Sequence, residues 1–216
     1  MSKLITFIFC INLLQGEGVE DISFRYGFMG QLKSNPDSTV VLSDSSVIHT
    51  GDRVRINIGY IREYDFLLIF KDSQGEFEIL YSAPTKMGAQ SSEATKQDTF
   101  VTALHWAKFS DPPGEESFYL INSKLSLSYL NKLLSRYENA PDKAKIKLAK
   151  KIQVELDALD PNSKADLSSI ASRLDKPLVG GVTFRGDDDE LKDMSLTHEC
   201  RGTGGIAFIK IVLNHK

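Results

Sequence analysis

The amino-acid sequence predicts a mainly β fold, α+β overall: an antiparallel β-sandwich with an inserted helical segment of two to three helices and a C-terminal strand pair. Three observations support this prediction. Apolar residues alternate with polar ones within residues 19–123, recur every three or four residues across residues 124–176, and return to strand-like runs across residues 177–216. The C-terminal strands are expected to complete the same domain as the β-rich first half.

Length and composition fit an ordinary globular chain. The 216 residues are 41% hydrophobic and 25% charged, which excludes wholesale disorder. The formal net charge of -3 excludes a globally basic nucleic-acid binder, so no nucleic-acid partner is expected. No apolar run reaches the ~18 residues of an ordinary membrane-spanning helix, so no transmembrane span is expected.

Residues 1–18 are typical of a secretory signal peptide. A single Lys3 precedes the apolar stretch Leu4–Leu14, and Gly16–Gly18 supplies small residues before a cut ahead of Val19. The apolar stretch is too short to span a bilayer. The alternative is an ordinary first β-strand rich in Ile and Phe. The signal-peptide interpretation predicts an exported protein, either periplasmic or secreted.

Within residues 19–123, period-two alternation indicates strands with one buried face. Ile22–Phe28 and Val54–Tyr60 alternate in this way, whereas Phe66–Phe70 is apolar throughout, which is typical of a central strand covered on both faces. The turn-forming cluster Asp72–Gly75 then predicts a hairpin between Phe66–Phe70 and Phe77–Tyr81. Further predicted features are a polar loop over Ala83–Asp98 and a strand over Phe118–Ile121.

Several short motifs follow one another through this half. In chain order they are His49–Ile56, Tyr64–Phe70, Asp72–Gly75, Ile79–Tyr81 before Pro84, Pro113–Glu116 and Phe118–Ile121. The first contains a strand opening of the form G-D-x-[VI]-x-[IV]. This order resembles a bacterial β-sandwich domain family of unknown function, found in exported proteins and appended to caspase-like peptidases and kinases. The resemblance covers roughly Phe24–Leu134. It implies the fold and a role as an accessory module, and it supplies no catalytic residues.

Across residues 124–176 the apolar spacing changes to that of helices. The first helix is predicted from Ser126 to a break at Asn139, and the second from Pro141 to Asp160. A third, shorter helix is predicted over Leu167–Leu174. The apolar faces are assigned to Leu127, Leu130, Leu133, Leu134 and Tyr137 in the first helix, and to Ile146, Ala149, Ile152, Leu156 and Leu159 in the second.

Residues 177–216 return to strand. Leu178–Phe184 and Ile206–Leu213 are predicted as the C-terminal strand pair. Between them, the acidic run Asp187–Glu190 has oxygens that could hold a hard cation, but it lacks the spacing and glycine of an EF-hand loop. We therefore interpret it as a solvated acidic turn. The stretch Gly202–Gly205 precedes a strand rather than a helix, which favours a hairpin loop over a phosphate cradle.

The segment His198–Gly202 superficially resembles the pentapeptide around the caspase nucleophile. A thiol-dependent hydrolase centred on Cys200 and His198 is therefore one alternative function. Against it, no histidine occurs between His105 and His198, whereas caspases place theirs about 50 residues upstream of the nucleophile. We instead expect Cys200 to point into the core as a small apolar residue. No metal-binding, P-loop or dinucleotide-binding motif occurs, so the sequence predicts no catalytic, cofactor-binding or metal-binding residues.

The second predicted helix carries five lysines, Lys143, Lys145, Lys147, Lys150 and Lys151. A binder of anionic surfaces through Lys143–Lys151 is the second alternative function. The lysines are expected to spread around the helix without interleaved aromatic residues, which favours a solvated polar face. The sequence as a whole predicts a non-enzymatic accessory or interaction module, exported and envelope-associated, with an unknown protein or envelope component as its partner.

Overall fold

The computed structural model describes residues 22–61, 64–84, 99–159 and 196–216. These residues form strands β1 (Ile22–Leu32), β2 (Asn35–Leu42), β3 (Val47–Ile48), β4 (Arg53–Ile61), β5 (Asp65–Lys71), β6 (Phe77–Ala83), β7 (Thr99–Ala103), β8 (Ala107–Lys108) and β9 (Gly114–Ser123). They continue with helices α1 (Ser128–Glu138) and α2 (Asp142–Leu159), and strands β10 (His198–Gly202) and β11 (Ile206–His215). None of the described helices is long and apolar enough to cross a membrane.

The first sheet is built around β1 and β4. In the described ranges its order is β10-β1-β4-β7, with β2 pairing with β1 and β8 pairing with β4, and all of these pairs are antiparallel. The large side chains at alternate positions of β1 are all buried, namely Ile22, Phe24, Tyr26 and Phe28. The alternation predicted for this strand is therefore confirmed, and it gives the sheet its buried face.

The second sheet has the order β3-β11-β9-β5-β6 in the same ranges, and only β3 and β11 run parallel. Strand β5 lies between β9 and β6 and is buried on both faces. Phe66 and Leu68 enter the core between the sheets, whereas Leu67 and Ile69 face the helices. Two-sided burial explains why this strand is apolar at successive positions. The hairpin predicted between Phe66–Phe70 and Phe77–Tyr81 is confirmed.

Side chains from both sheets enter one core cluster, which we call the inter-sheet core. Its members include Ile22, Ile58, Leu68, Leu120 and Ile211. Aromatic rings of the two sheets meet edge to face, with centroids 5.4 Å apart for Phe24 and Phe66 and 5.1 Å apart for Phe28 and Phe118. Such pairs stabilise a core beyond the burial of their area, so they help to hold one sheet against the other.

Helices α1 and α2 cover the other face of the second sheet. Their buried side chains are Leu130, Leu133, Leu134 and Tyr137 in α1, and Leu148, Ile152 and Leu156 in α2. The apolar face assigned to the first helix is confirmed. In α2 the assignment of Ile146 is wrong, because this side chain is 66% exposed. Ile146 lies two residues from Leu148, which is about 200° around a helix, so it points away from the buried stripe.

Polar contacts tie the helices to the hairpin of β5 and β6. The Asp65 carboxylate accepts a hydrogen bond from the backbone N–H of Leu127 at 3.1 Å. The Tyr137 hydroxyl donates to the Glu76 carboxylate at 2.5 Å, and burial together with this hydrogen bond raises the pKa of Tyr137 to about 12. Lys145 of α2 lies 3.5 Å from the same carboxylate. The hairpin turn thus anchors both helices.

The predicted class, mainly β with added helices, is confirmed. The prediction of a hairpin loop at Gly202–Gly205 is wrong, because β10 belongs to the first sheet and β11 to the second. This turn instead carries the chain from one sheet to the other. The predicted strand Ile206–Leu213 lies within β11. Five predictions lie wholly or largely outside the described residues: the signal peptide over residues 1–18, the loop over Ala83–Asp98, the helix over Leu167–Leu174, the strand Leu178–Phe184 and the acidic turn Asp187–Glu190.

Candidate ligand-binding cleft

A cleft of about 570 Å³ lies between the two sheets at the end where β4 and β9 begin. We call it the inter-sheet cleft. Its apolar lining comes from both sheets and from the segment between β7 and β9, and includes Val54, Ile56, Phe70, Leu80, Phe109 and Phe118. This volume and this largely apolar lining are typical of sites that hold small ligands.

The cleft wall formed by residues 104–112 is held against β4 by backbone hydrogen bonds. The N–H of Leu104 donates to the carbonyl of Ile56, and the N–H of Phe109 donates to the carbonyl of Asp52, both at 2.9 Å. The Phe109 carbonyl accepts from the N–H of Gly51 at 2.9 Å, and its ring is buried. These bonds position the wall from both of its ends.

The turn His49–Asp52 leads into β4 beside the cleft. Asp52 is 3% exposed, and its two carboxylate oxygens accept the backbone N–H groups of Lys33 at 2.7 Å and His49 at 2.9 Å. Gly51 has a φ of 100°, a conformation that favours glycine. The Gly-Asp pair of the sequence motif therefore shapes this turn, with both oxygens of the aspartate already engaged.

Two buried polar residues meet where the inter-sheet core adjoins the cleft. Glu116 is 4% exposed and His215 is 3% exposed, and Oε1 of Glu116 lies 3.4 Å from Nδ1 of His215. Both continue inward-facing rows, since Glu116 precedes Phe118 along β9 and His215 follows Leu213 along β11. The register pairs Glu116 with Leu213, so the carboxylate reaches the imidazole diagonally across the two strands.

The imidazole also contacts a hydroxyl. Nε2 of His215 lies 3.0 Å from Oγ1 of Thr50, and the Thr50 hydroxyl donates to Oδ1 of Asp111 at 2.8 Å. The order hydroxyl, imidazole, carboxylate resembles the arrangement that activates a nucleophilic serine. Here the single hydroxyl proton goes to Asp111, so Nε2 is the donor toward Thr50. A nitrogen that donates cannot take the proton of that hydroxyl, and the arrangement favours a structural link.

Two atoms of this pair, Nδ1 of His215 and Oε2 of Glu116, have no hydrogen-bond partner in the described part of the chain. Burial raises the pKa of Glu116, and the nearby charge of Asp72 adds to this, while the interaction with His215 and a hydrogen bond from the Ser73 backbone oppose it. Buried polar atoms normally have a partner, so these two atoms are exceptions.

Carboxylates outnumber basic groups around the cleft. The acidic lining residues are Asp72, Glu78, Asp111 and Glu116, and the basic ones are Lys108 and His105. An excess of carboxylates in a partly enclosed site attracts cations. Residues 22–61, 64–84, 99–159 and 196–216 contain no group of three or more His, Cys, Asp or Glu side chains arranged to hold a metal ion.

The residues singled out in the sequence as a thiol site lie at the other end of the inter-sheet core. Cys200 is 0% exposed, and its thiol donates to the carbonyl of Phe208 at 3.5 Å. Burial raises the pKa of Cys200 to about 12, with a smaller contribution from Glu199. The His198 ring stacks on Tyr26 with centroids 5.2 Å apart, and burial lowers its pKa. A neutral, buried thiol is the inert form of cysteine, which agrees with its expected place in the core.

Helix α2 places four exposed lysines on one face. Lys143, Lys147, Lys150 and Lys151 fall within an arc of about 100°, because they are separated mainly by three or four residues. Lys145 lies on the opposite side, where its Nζ is 5.3 Å from the centroid of the Tyr137 ring. The expectation that the lysines spread around the helix is therefore wrong. We call the four exposed residues the lysine face.

The pairing of Glu116 with His215 was not predicted from the sequence. A signal existed, because the alternation along Ile206–Leu213 extends to His215 and places it on the buried face. The partner strand and its register, however, are not readable from alternation. No family model matches the chain, and no match was found among curated proteins or solved structures.

Proposed function

We propose that this chain is a non-enzymatic binding module that takes an apolar ligand group in the inter-sheet cleft, as an accessory to a protein or an envelope component. The observation that carries the proposal is the cleft itself, with its volume of about 570 Å³ and apolar walls from both sheets. Sites of this size and polarity bury most of the surface of a small ligand, and a few polar groups orient it.

Two observations favour binding over chemistry. The Thr50 hydroxyl donates to Asp111 instead of to His215, so the nearest candidate nucleophile lacks a base. The thiol of Cys200 is buried and its pKa is raised to about 12, so it is not present as a thiolate at neutral pH. A thiol-dependent hydrolase at Cys200 and His198 therefore receives no support from either residue's surroundings.

Titration of ¹⁵N-labelled protein with 1-octanol tests the proposal. We expect saturable shifts of the amide signals of cleft residues, and loss of this response in Leu80→Trp, which fills the cleft. Val41→Trp is the matched control, because Val41 is 52% exposed and does not line the cleft. The proposal is wrong if the wild type shows no saturable response, or if Leu80→Trp responds as the wild type does.

Export is part of the same proposal and is supported by the pattern of residues 1–18 alone. Amino-terminal sequencing of the protein from its native host should begin near Val19. Recovery of Met1 or Ser2 at the start of the stable cellular pool would contradict export through a cleaved signal.

The lysine face favours a second candidate function, binding to an anionic surface. Four cations on one exposed helix face create a local positive potential, although the formal net charge of the chain is -3. Exposed Ile146 and Val154 on the same helix, 66% and 64% exposed, would add apolar contact at a membrane interface.

Sedimentation with phosphatidylglycerol vesicles tests this second function, with phosphatidylcholine vesicles as the neutral control. Charge reversal of Lys143, Lys147 and Lys150 to glutamate should abolish a salt-sensitive interaction, whereas Lys132→Glu on α1 should leave most of it. Equal binding to both vesicle types would exclude it. Tight, strongly salt-dependent binding to DNA or RNA would instead contradict the expectation of no nucleic-acid partner.

A further inference from the structure

We propose that Glu116 receives a positively charged nitrogen, a primary ammonium or a guanidinium, of a ligand whose apolar stem lies in the inter-sheet cleft. This inference rests on the proposed function and specifies the chemical class of its ligand. The observation behind it is that Glu116 lines the cleft, is 4% exposed, and has one oxygen, Oε2, without a hydrogen-bond partner among the described residues.

The carboxylate of Glu116 is held in a defined position. Its backbone pairs with Leu213 in the ladder between β9 and β11, and Oε1 lies 3.4 Å from Nδ1 of the buried His215. The imidazole and the Ser73 backbone both interact with this carboxylate, and Oε2 is left without a hydrogen-bond partner among the described residues. A buried acceptor without a partner is costly, and a ligand that donates to it recovers this cost.

The surroundings of Glu116 select a cation over a neutral donor. Asp72 and Asp111 line the same cleft, and Asp72 is close enough to raise the pKa of Glu116 electrostatically. A cationic nitrogen would interact favourably with all three carboxylates, and charge-assisted hydrogen bonds are stronger than neutral ones. The apolar walls formed by Val54, Leu80 and Phe118 suit an aliphatic stem between this nitrogen and the rest of the ligand.

A series of ligands that share the same alkyl group tests the inference in the wild-type protein. Octylammonium chloride, 1-octanol and sodium octanoate share their apolar stem and differ in the head group. At pH 7 and concentrations below micelle formation, we expect octylammonium to bind about tenfold more tightly than 1-octanol, as one charge-assisted hydrogen bond allows. Octanoate should bind more weakly than 1-octanol, because the cleft carries an excess of carboxylates.

A conservative variant then locates the effect. Glu116→Gln keeps the shape of the side chain and removes its charge, so it should reduce the preference for octylammonium over 1-octanol to within about twofold while 1-octanol still binds. Glu115→Gln is the matched control, because Glu115 is the exposed neighbour on β9 and does not line the cleft. If Glu116→Gln does not fold, the order of affinities in the wild type decides.

The source of the nitrogen is distinguished by a second pair of probes. An acetylated and amidated tripeptide with lysine between two leucines is compared with the same peptide carrying norleucine. A lysine preference that Glu116→Gln removes would assign the nitrogen to a peptide side chain, whereas binding of octylammonium alone would assign it to a small amine.

The outcomes separate this inference from the proposed function. Equal affinity for octylammonium and 1-octanol, tighter binding of octanoate, or an ammonium preference that survives Glu116→Gln would overturn the cation assignment and leave the cleft as an apolar site. Tight binding of calcium chloride that Glu116→Gln abolishes would replace the organic cation by a metal ion. Failure of all three octyl ligands to bind would overturn the proposed function itself.

Discussion

Each end of the inter-sheet core contains a buried titratable side chain close to a histidine, but the two side chains are in different states. At one end Cys200 pairs with Phe24 of β1, near the half-buried His198. At the other end Glu116 pairs with Leu213, beside the buried His215. The thiol is neutral and engaged with a carbonyl oxygen, whereas the carboxylate keeps an oxygen without a partner among the described residues and faces a cleft. Burial beside a histidine is therefore not sufficient to indicate a site, whereas a residue that lines a cleft and keeps a buried acceptor without a partner is more informative.

The largest expected effect lies at Gly202, the last residue of β10, at the Cys200 end of the inter-sheet core. A Cβ atom at Gly202 would fall 1.9 Å from the carbonyl oxygen of Ile206 and 2.6 Å from the Cα atom of Ala207, so the end of β10 and the start of β11 would have to separate. Gly202→Ala should lower the free energy of unfolding by more than about 4 kcal/mol. Gly204→Ala is the control, since Gly204 has a φ of 72° and no atom within 4 Å of its added Cβ, and it should cost about 1–2 kcal/mol. Equal losses in urea denaturation would show that the sheets do not approach closely here.

The middle of the inter-sheet core gives the next effect. Leu68 is 0% exposed on the central strand β5. Leu68→Ala should lower the free energy of unfolding by about 2–5 kcal/mol through lost burial and a cavity. Ile146→Ala, at a position that is 66% exposed, should change it by no more than about 0.5 kcal/mol. If the two variants were equally stable, the assignment of β5 to the core would be wrong.

Thiol labelling tests the Cys200 end of the inter-sheet core directly, in a Cys10→Ser background that leaves Cys200 as the single thiol. Labelling by iodoacetamide should be slow in the folded protein and fast in denaturant, because the thiol is buried. Cys200→Ser should cost about 1–3 kcal/mol, since it places a more polar group in the core, and should leave octanol binding intact. Rapid labelling of the native protein, together with a hydrolase activity that Cys200→Ser removes, would support the enzyme alternative instead.

The same thiol gives a pH dependence with a definite sign. Its pKa is about 12 in the folded protein and 9.0 in the unfolded reference. The folded value is the higher one, so the stability linked to the neutral thiol is fully present below pH 9 and declines as the pH rises toward 12. In Cys200→Ser this contribution to the decline should be missing, which urea denaturation across that range would measure.

The smallest effect on the free energy of unfolding is expected at the end of the inter-sheet core that adjoins the cleft. Thr50 is exposed and links His215 to Asp111. Thr50→Ala should cost about 0.5–1.5 kcal/mol, the usual contribution of such hydrogen bonds, and Thr50→Ser should recover most of it. Octanol affinity should stay within about twofold in both, since Thr50 does not line the cleft. Ester hydrolysis that is lost in Thr50→Ala and kept in Thr50→Ser would make this hydroxyl a nucleophile and contradict the binding module.

Much of the fold was predictable because local patterns decide it. The alternation in Ile22–Phe28, the apolar run Phe66–Phe70 and the turn at Asp72–Gly75 each report on neighbouring residues in the chain, and the structure agrees with all three. The errors arose where a pattern had two interpretations. Ile146 fitted an apolar helical spacing but lies outside the buried stripe, and Gly202–Gly205 fitted a hairpin although its flanking strands belong to different sheets.

The sequence by itself determined the mainly β class and the central strand with two buried faces, because each follows from the period of the chain. Only the tertiary structure decided which buried polar groups meet. Glu116 and His215 are 99 residues apart, and Thr50 is 165 residues from His215. The register of β9 against β11, and the hydrogen bond that holds the turn before β4 against the end of β11, bring these three residues together beside the cleft. Contacts between strands distant in the chain depend on how whole sheets pair and pack, and no local period records that choice.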